Sequence, residues 1–178
     1  NDFNSLVKTV LGLGHFPSYL QTVENVYPLF SANSFYKQIL PHNSLDFGFS
    51  ATAMHWLSKK PCDITNHVHM VGAEGDEYLV FSKQGKNDWE TILLQRANEL
   101  KIGGQLVFLN FCRNEKGNYL GNTKGVNMFG NFSQNWKDFY EQGRINLNEY
   151  QRMTLPQYYN TVEEFSIPLQ DPNNKVYR

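Results

Sequence analysis

The stretch Ser44-Leu45-Asp46-Phe47-Gly48-Phe49-Ser50-Ala51-Thr52-Ala53-Met54-His55-Trp56-Leu57-Ser58 decides the fold. Its first half is short, apolar and aromatic, which predicts a buried strand. Its second half begins with the small polar residues Ser50 and Thr52 and then becomes apolar, as a capped helix would. A strand, a sharp turn and a helix in this order indicate an α/β protein, in which ligands bind beyond the carboxyl ends of the strands.

His55 and Trp56 follow the turn, so we expect both side chains in a pocket at that end of the strand. Together they offer two N–H donors and a flat apolar wall, which suits a planar organic anion such as a carboxylate. The alternative is that Trp56 belongs to the core and His55 is an ordinary surface residue.

The composition describes a single globular unit rather than a membrane or nucleic-acid protein. A chain of 178 residues can bury one core. Its net charge of −1 gives no reason to expect nucleic acid or a membrane surface as a partner, and no apolar run is long enough to span a bilayer. Aromatic residues make up 15%, which suggests an aromatic-lined cavity, although large side chains also fill ordinary cores. Cys62 and Cys112 lack C-x-x-C spacing and indicate reduced thiols in a cytoplasmic protein.

Periodicity places further elements along the chain. Helices are predicted over 2–11, 34–40, 88–101 and 133–143, with Asp88 as an N-cap, and a capping box at Thr161 and Glu164 starts another. Strands are predicted over 66–71 and 105–111. The second strand is nearly all apolar and follows Gly103-Gly104, which we expect to end the preceding helix. It is typical of a parallel sheet covered on both faces. Residues 114–131 form a long polar loop.

Motifs for other chemistries are missing from the sequence. There is no G-x-G-x-x-G, Walker loop, G-x-S-x-G elbow or H-E-x-x-H. In the predicted 66–71 strand, His67 and His69 would point the same way, as metal ligands can. No third ligand of the usual type lies nearby, so a structural role is favoured for this pair.

Several segments, in order, resemble the SABATH family of S-adenosylmethionine-dependent carboxyl methyltransferases. They are Asn1-Asp2-Phe3-Asn4, Ser34-Phe35-Tyr36, the run Leu40 to Phe47, the run Ser50 to Pro61, Gln95 to Leu100 and Gly103-Gly104. The run from Ser50 resembles the family's S-S-Y-S-L-H-W-L-S-x-x-P and is the most specific of these. The resemblance covers nearly all of the chain.

The resemblance implies a partial Rossmann-like class I methyltransferase sheet with helices on both faces, plus part of a mostly helical cap. Residues 1–112 would belong to the α/β core, and residues 113–178 would form a loop and a partial cap, or lid. The family's glycine-rich turn and its acidic ribose-binding residue lie upstream of the matching segments. We therefore expect this chain to be the middle of a methyltransferase and to bind cofactor weakly.

The resemblance also implies site residues. Ser34, Phe35, Ser50 and Ala51 would bind S-adenosylmethionine, whereas His55 and Trp56 would hold the acceptor carboxylate and act in catalysis. Thr52 would also contact the substrate, and it stands where many relatives have Tyr, which implies a wider or more polar wall.

Some family members use an asparagine that matches Asn66 near a bound Mg²⁺. The companion carboxylate and asparagine are replaced by Gln151 and Thr154. Since Mg²⁺ prefers oxygen ligands and especially carboxylates, we predict no metal.

The function implied is methyl transfer from S-adenosylmethionine to the carboxylate of a small aromatic or apolar acid. Two alternatives stay open: a non-catalytic small-molecule-binding module and an N-methyltransferase of a small heterocycle. Relatives are often dimers, so a homodimer is a further possibility.

Overall fold

The computed structural model describes residues 2–122, 125 and 127–176, which form five helices and a two-stranded sheet. The strands are β1 (Leu45–Ala51) and β2 (Leu100–Leu109). The helices are α1 (Phe3–Val10), α2 (Gly75–Glu99), α3 (Met128–Glu141), α4 (Leu147–Gln151) and α5 (Val162–Gln170). Short 3₁₀ turns lie at Tyr19–Gln21 and Met70–Gly72.

The two strands pair in parallel, as predicted. Phe49 lies opposite Val107, and Ala51 lies opposite Leu109 at the carboxyl end of both strands. The register shifts at the other end of the sheet, where β2 bulges around Gly103. Gly103 has a φ of +81°, which glycine adopts at little cost. The glycine pair therefore lies inside β2, and the prediction that it ends α2 is wrong.

Helix α2 covers one face of the sheet. The Trp89 ring packs edge-on against Phe108 of β2, with 5.3 Å between ring centroids. This helix begins at Gly75, well before the predicted start. The prediction that Asp88 is its N-cap is wrong, because Asp88 is buried in the middle of α2 and accepts hydrogen bonds from the backbone N and Oγ of Ser58 (2.8 and 2.7 Å).

The opposite face of the sheet is apolar and exposed. Phe49 of β1 is 62% exposed and Leu109 of β2 is 54% exposed. The neighbours of each residue in its own strand, such as Ser50 and Phe108, point to the other face and are half-buried. The sequence predicted that β2 is covered on both sides. In the described part of the chain it alternates instead, as a half-covered strand does.

Three predicted elements are replaced by turns and loops. Residues 34–40 form a turn rather than a helix, and the helix expected after Ser50 does not form. Thr52 takes a φ of +54°, which is outside the helical region and stops helix growth at its first turn. The strand predicted over 66–71 is also wrong. Here His69 caps a 3₁₀ turn through a side chain that accepts from the Val71 amide.

The second half of the chain packs on α2 through buried aromatic residues. Phe81, Met70, Tyr158 and Tyr159 belong to the larger core cluster. Helix α3 begins at Met128, so the polar loop is shorter than predicted, and positions 123, 124 and 126 of that prediction lie outside the described residues.

The capping box of α5 is present as predicted. The Thr161 side chain accepts from the Glu164 amide, and the Glu164 carboxylate accepts from the Thr161 amide. The division into a core over 1–112 and a cap over 113–178 stays a prediction. Within the described ranges, no helix is both long and apolar enough to cross a membrane.

Candidate functional site

The site begins where β1 ends. Ser50 and Ala51 are the last residues of β1 and pair with Phe108 and Leu109. Thr52 follows, exposed to solvent, and its amide donates to the Leu109 carbonyl (2.7 Å). A positive φ is costly for a β-branched residue, and such strain concentrates at functional sites. The turn is thus held in a strained form directly beside the carboxyl edge of the sheet.

His55 lies in an aromatic surrounding beyond this turn. Its ring is 4% exposed, with centroids 5.0 Å from Phe111, 5.6 Å from Tyr159 and 5.9 Å from Trp56. Burial lowers the pKa of His55, so the ring is neutral at neutral pH. Its Nδ1 is buried and has no hydrogen-bond partner among the described residues. A buried polar atom without a hydrogen-bond partner is uncommon in a folded protein, and a bound ligand is one group that can supply the missing bond.

Trp56 is 42% exposed, so it is not a core residue. Its backbone forms an isolated antiparallel bridge with Gln157. On either side of that bridge, the Leu57 amide donates to the Pro156 carbonyl (2.7 Å), and the Tyr158 amide donates to the His55 carbonyl (2.8 Å). The alternative considered from the sequence, a core Trp56 and a surface His55, is therefore the reverse of what the structure has. His55 is buried and Trp56 is partly exposed.

The turn at residues 34–37 lies against this segment. The hydroxyl of Tyr36 donates to the Trp56 carbonyl, which ties this turn to the residue that follows His55. The rings of Phe35 and Tyr36 pack at 4.5 Å, whereas Ser34 is exposed and its Oγ accepts from the Tyr36 amide (3.4 Å). Burial, and secondarily the charge of Asp88, raises the pKa of Tyr36. Tyr36 is therefore a neutral donor in this contact.

Several residues around the site were missed by sequence reasoning. Phe111 and Tyr159 flank the His55 ring, and Phe129 packs at 6.2 Å from Tyr159. Phe111 could have been found, because it follows a strand parallel to β1 and must emerge at the same edge. Tyr159 and Phe129 carry no such signal, since they come from irregular chain and from α3.

Asn66 and His69, which the sequence analysis considered as metal ligands, bond to other side chains in the structure. No group of three or more His, Cys, Asp or Glu side chains suited to a metal occurs within the described ranges. Asn66 uses its Oδ1 to accept from the Tyr150 hydroxyl (3.1 Å). His69 is fully buried, stacks on Phe129 at 3.9 Å and contacts the Gln157 side chain (3.1 Å). Its role is therefore in packing.

The arrangement suits recognition of a small apolar anion. In the tautomer with its proton on Nδ1, His55 has a donor with no protein acceptor, and aromatic faces surround it. A carboxylate would satisfy that donor, and an apolar body would pack on the rings.

Comparisons with known proteins point to one family. The sequence model described as SAM-dependent carboxyl methyltransferase matches residues 1–173. Farnesoic acid carboxyl-O-methyltransferase of Arabidopsis thaliana is 29% identical over 185 residues, which cover 99% of this chain and 49% of that protein. Loganic acid O-methyltransferase of Catharanthus roseus is 27% identical over 147 residues, which cover 77% of this chain and 39% of that protein.

A solved structure agrees in fold. Loganic acid methyltransferase with SAH superposes with a TM-score of 0.76 at 23% identity, over 96% of this chain and 48% of that one. The α/β class predicted from the sequence is confirmed by this likeness. The chain spans about half the length, or less, of these curated relatives. Because the family model matches nearly the whole chain, the chain belongs to the family of SAM-dependent carboxyl methyltransferases.

Proposed function

We propose that this protein transfers a methyl group from S-adenosylmethionine to the carboxylate of a small apolar or aromatic acid, and that His55 and Trp56 bind the acceptor. The observation that carries the proposal is the unpaired Nδ1 of His55, buried among aromatic rings at the carboxyl edge of the sheet. Membership of the carboxyl methyltransferase family supports the reaction class.

Methyl transfer to a carboxylate does not require a catalytic acid or base from the protein. A carboxylate is ionised at neutral pH, so no general base is needed. S-adenosylmethionine supplies an electrophilic methyl group when bound. The work of the chain is to hold the acceptor oxygen in line with that methyl group and to exclude water. A neutral His55 can donate to one carboxylate oxygen, and the ring of Trp56 can pack on the acceptor beside it.

The exposure of two groups supports a cofactor site next to β1. The Ser34 hydroxyl is exposed and Ser50 and Ala51 lie at the end of the strand, while the half-buried Phe35 packs against the cluster of Trp89, Ile92 and Leu93. The contact between Tyr36 and Trp56 joins this group to the acceptor side. We propose that Ser34 and Phe35 contact the adenosine part and that Ser50 and Ala51 line the same site.

The acceptor is proposed to be apolar beyond its carboxylate. Phe111 and Tyr159 present ring carbon to the same space as His55, and burial raises the pKa of Tyr159, which keeps it neutral. Thr52 is exposed directly after the end of β1, and we propose that it contacts the acceptor. The relatives named for farnesoic and loganic acids differ widely in acid shape, so the exact acid is a matter for a screen.

The test is labelled methyl transfer to a panel of small acids by the full-length protein and by its His55→Ala and Trp56→Phe variants. Loss of an orienting donor should lower the rate about ten- to a thousandfold. His15→Ala, at an exposed histidine, is the matched control and should keep the wild-type rate. Unchanged rates in both site variants would overturn the assignment of these residues.

Other outcomes separate the alternatives. A full-length protein that neither transfers methyl groups nor binds S-adenosylhomocysteine in calorimetry would be a binding module without methyl-transfer chemistry. Turnover of heterocyclic amines but of no acid in the same screen would indicate an N-methyltransferase.

Location and assembly stay predictions as well. Cys62 and Cys112 are free thiols, which agrees with the predicted cytoplasmic location. Light scattering would decide whether the protein is a homodimer.

A further inference from the structure

Arg113, which follows β2, forms hydrogen bonds to a segment from the second half of the chain, residues 156–160. Its backbone amide donates to the Asn160 carbonyl (3.0 Å), and its Nε donates to the Tyr159 carbonyl (3.1 Å). Residues 156–160, which we call the strap, are therefore held at two successive carbonyls, one by the backbone of Arg113 and one by its side chain.

The guanidinium of Arg113 is fixed further by two phenol groups. Nη2 donates to the Tyr78 hydroxyl (2.8 Å) and lies 3.4 Å from the Tyr158 hydroxyl. Its carbon lies 5.3 Å from the centre of the Tyr78 ring and 5.8 Å from that of Tyr158. Tyr158 in turn donates to the Glu164 carboxylate (2.9 Å). The side chain thus ties the strap to α2 and α5.

The other edge of the strap holds the acceptor site. The Tyr158 amide donates to the His55 carbonyl, and the Pro156 carbonyl accepts from the Leu57 amide. The Tyr159 ring contacts the His55 ring, and the Tyr159 backbone carbonyl is the one that accepts from Arg113. Arg113 makes no described hydrogen bond to His55 or Trp56. It holds the carbonyls of Tyr159 and Asn160, which follow directly on the strap residue whose amide bonds to the His55 carbonyl.

We propose that Arg113 is a positioning residue for the acceptor site, which acts through the strap to set the place of the His55 ring. This inference rests on the proposed function for its link to activity. The planar fork of an arginine reaches the Tyr159 carbonyl and the Tyr78 hydroxyl at once. A lysine carries its three N–H donors on one nitrogen and lacks this fork, so we expect it not to meet both acceptors in the same geometry.

The structure of the site is tested without activity, by NMR of the histidine ring signals in wild type, Arg113→Gln and Arg113→Lys. Arg144→Gln is the control, because it also removes a guanidinium that lies over an aromatic ring, that of Phe139 (5.4 Å), but its side chain makes no described hydrogen bond to the strap. Tyr159 and His69 are the titratable groups that face His55 in the described structure, so their signals are followed as well. We expect both Arg113 variants, and not the control, to shift the His55 signals and to raise its pKa toward the ordinary value.

Activity gives the second readout. We expect Arg113→Gln to lower kcat for methyl transfer about tenfold, and Arg113→Lys to recover little of it. Unchanged His55 signals and kcat in folded Arg113 variants would overturn the proposal. If Arg113→Gln does not fold, Arg113→Lys decides by the same two readouts. If the wild type has no methyl transfer, the proposed function fails, and the NMR result still decides the positioning role.

Discussion

Arg96 and Glu99 form a buried ion pair within the last turn of α2, with Nε 2.6 Å from Oε2 and Nη2 2.7 Å from Oε1. The same two side chains hold the turn over 35–40. Arg96 donates to two of its carbonyls (2.8 Å each), and Glu99 accepts from two of its amides (2.6 and 3.2 Å). The pair therefore fixes the turn that carries the proposed cofactor residues.

Replacing Glu99 by Gln should strongly destabilise the protein. It leaves the Arg96 charge buried without its partner, which costs about 3–5 kcal/mol of the free energy of unfolding. Asp46→Asn is the control, because Asp46 pairs with Lys101 at 2.7 Å on the surface, where such a pair contributes about 0–1 kcal/mol. Urea unfolding measures both. Equal losses in the two variants would contradict the role of burial.

Acidification should weaken the native state through His69. Burial lowers its pKa from 6.5 to about 3, against the raising effect of its contact with Gln157. The unfolded chain therefore takes up this proton at a higher pH than the folded chain, so stability is full above pH 6.5 and falls between there and about pH 3.

His69→Gln removes the proton but keeps a side-chain amide that can meet Gln157. Its urea midpoint should fall less than that of the wild type between neutral and mildly acidic pH. His42→Gln, at an exposed position, should keep the wild-type pH dependence. An unaltered slope in the His69 variant would show that other groups cause the acid response.

Gly85→Ala should lower stability, although alanine normally favours a helix interior. A Cβ at Gly85 would overlap the ring of Tyr158, which is fully buried. Such overpacking costs about 1–3 kcal/mol, more than the gain of about 1 kcal/mol in helix propensity. Lys86→Ala, at the next and exposed helix position, should be nearly neutral. Thermal unfolding measures both, and a more stable Gly85→Ala protein would mean that Tyr158 moves freely.

Thr52→Gly should stabilise the protein and harm the site. Because Thr52 has a left-handed backbone conformation that glycine adopts without strain, the substitution should raise the free energy of unfolding by about 1–2 kcal/mol. The larger chain entropy of unfolded glycine should lower it by about 0.5–1 kcal/mol. Ala51→Gly, one residue earlier in the strand, should only lose stability. Urea midpoints and methyl-transfer rates of both variants check this. A less stable Thr52→Gly protein would show that the Thr52 side chain makes a net contribution to the fold.

Local signals in the sequence predicted the elements that depend on neighbours along the chain. The apolar runs around Phe49 and Val107 predicted two parallel strands, and the polar pattern at Thr161 and Glu164 predicted the capped start of α5. These signals operate over a few residues, so they can be read without the fold. The predicted helix after Ser50 failed, because the tertiary contact from the Thr52 amide to β2 overrides helix propensity.

The sequence by itself determined the α/β class, the parallel character of the sheet and the family, because apolar periodicity, caps and a specific motif are all local in the chain. Only the tertiary structure decided that His55 is buried and Trp56 is partly open, and that Tyr159 from the second half of the chain packs against His55 while Arg113 bonds to its carbonyl. Contacts between residues so far apart are set by how the whole core packs. No short window of sequence carries that information.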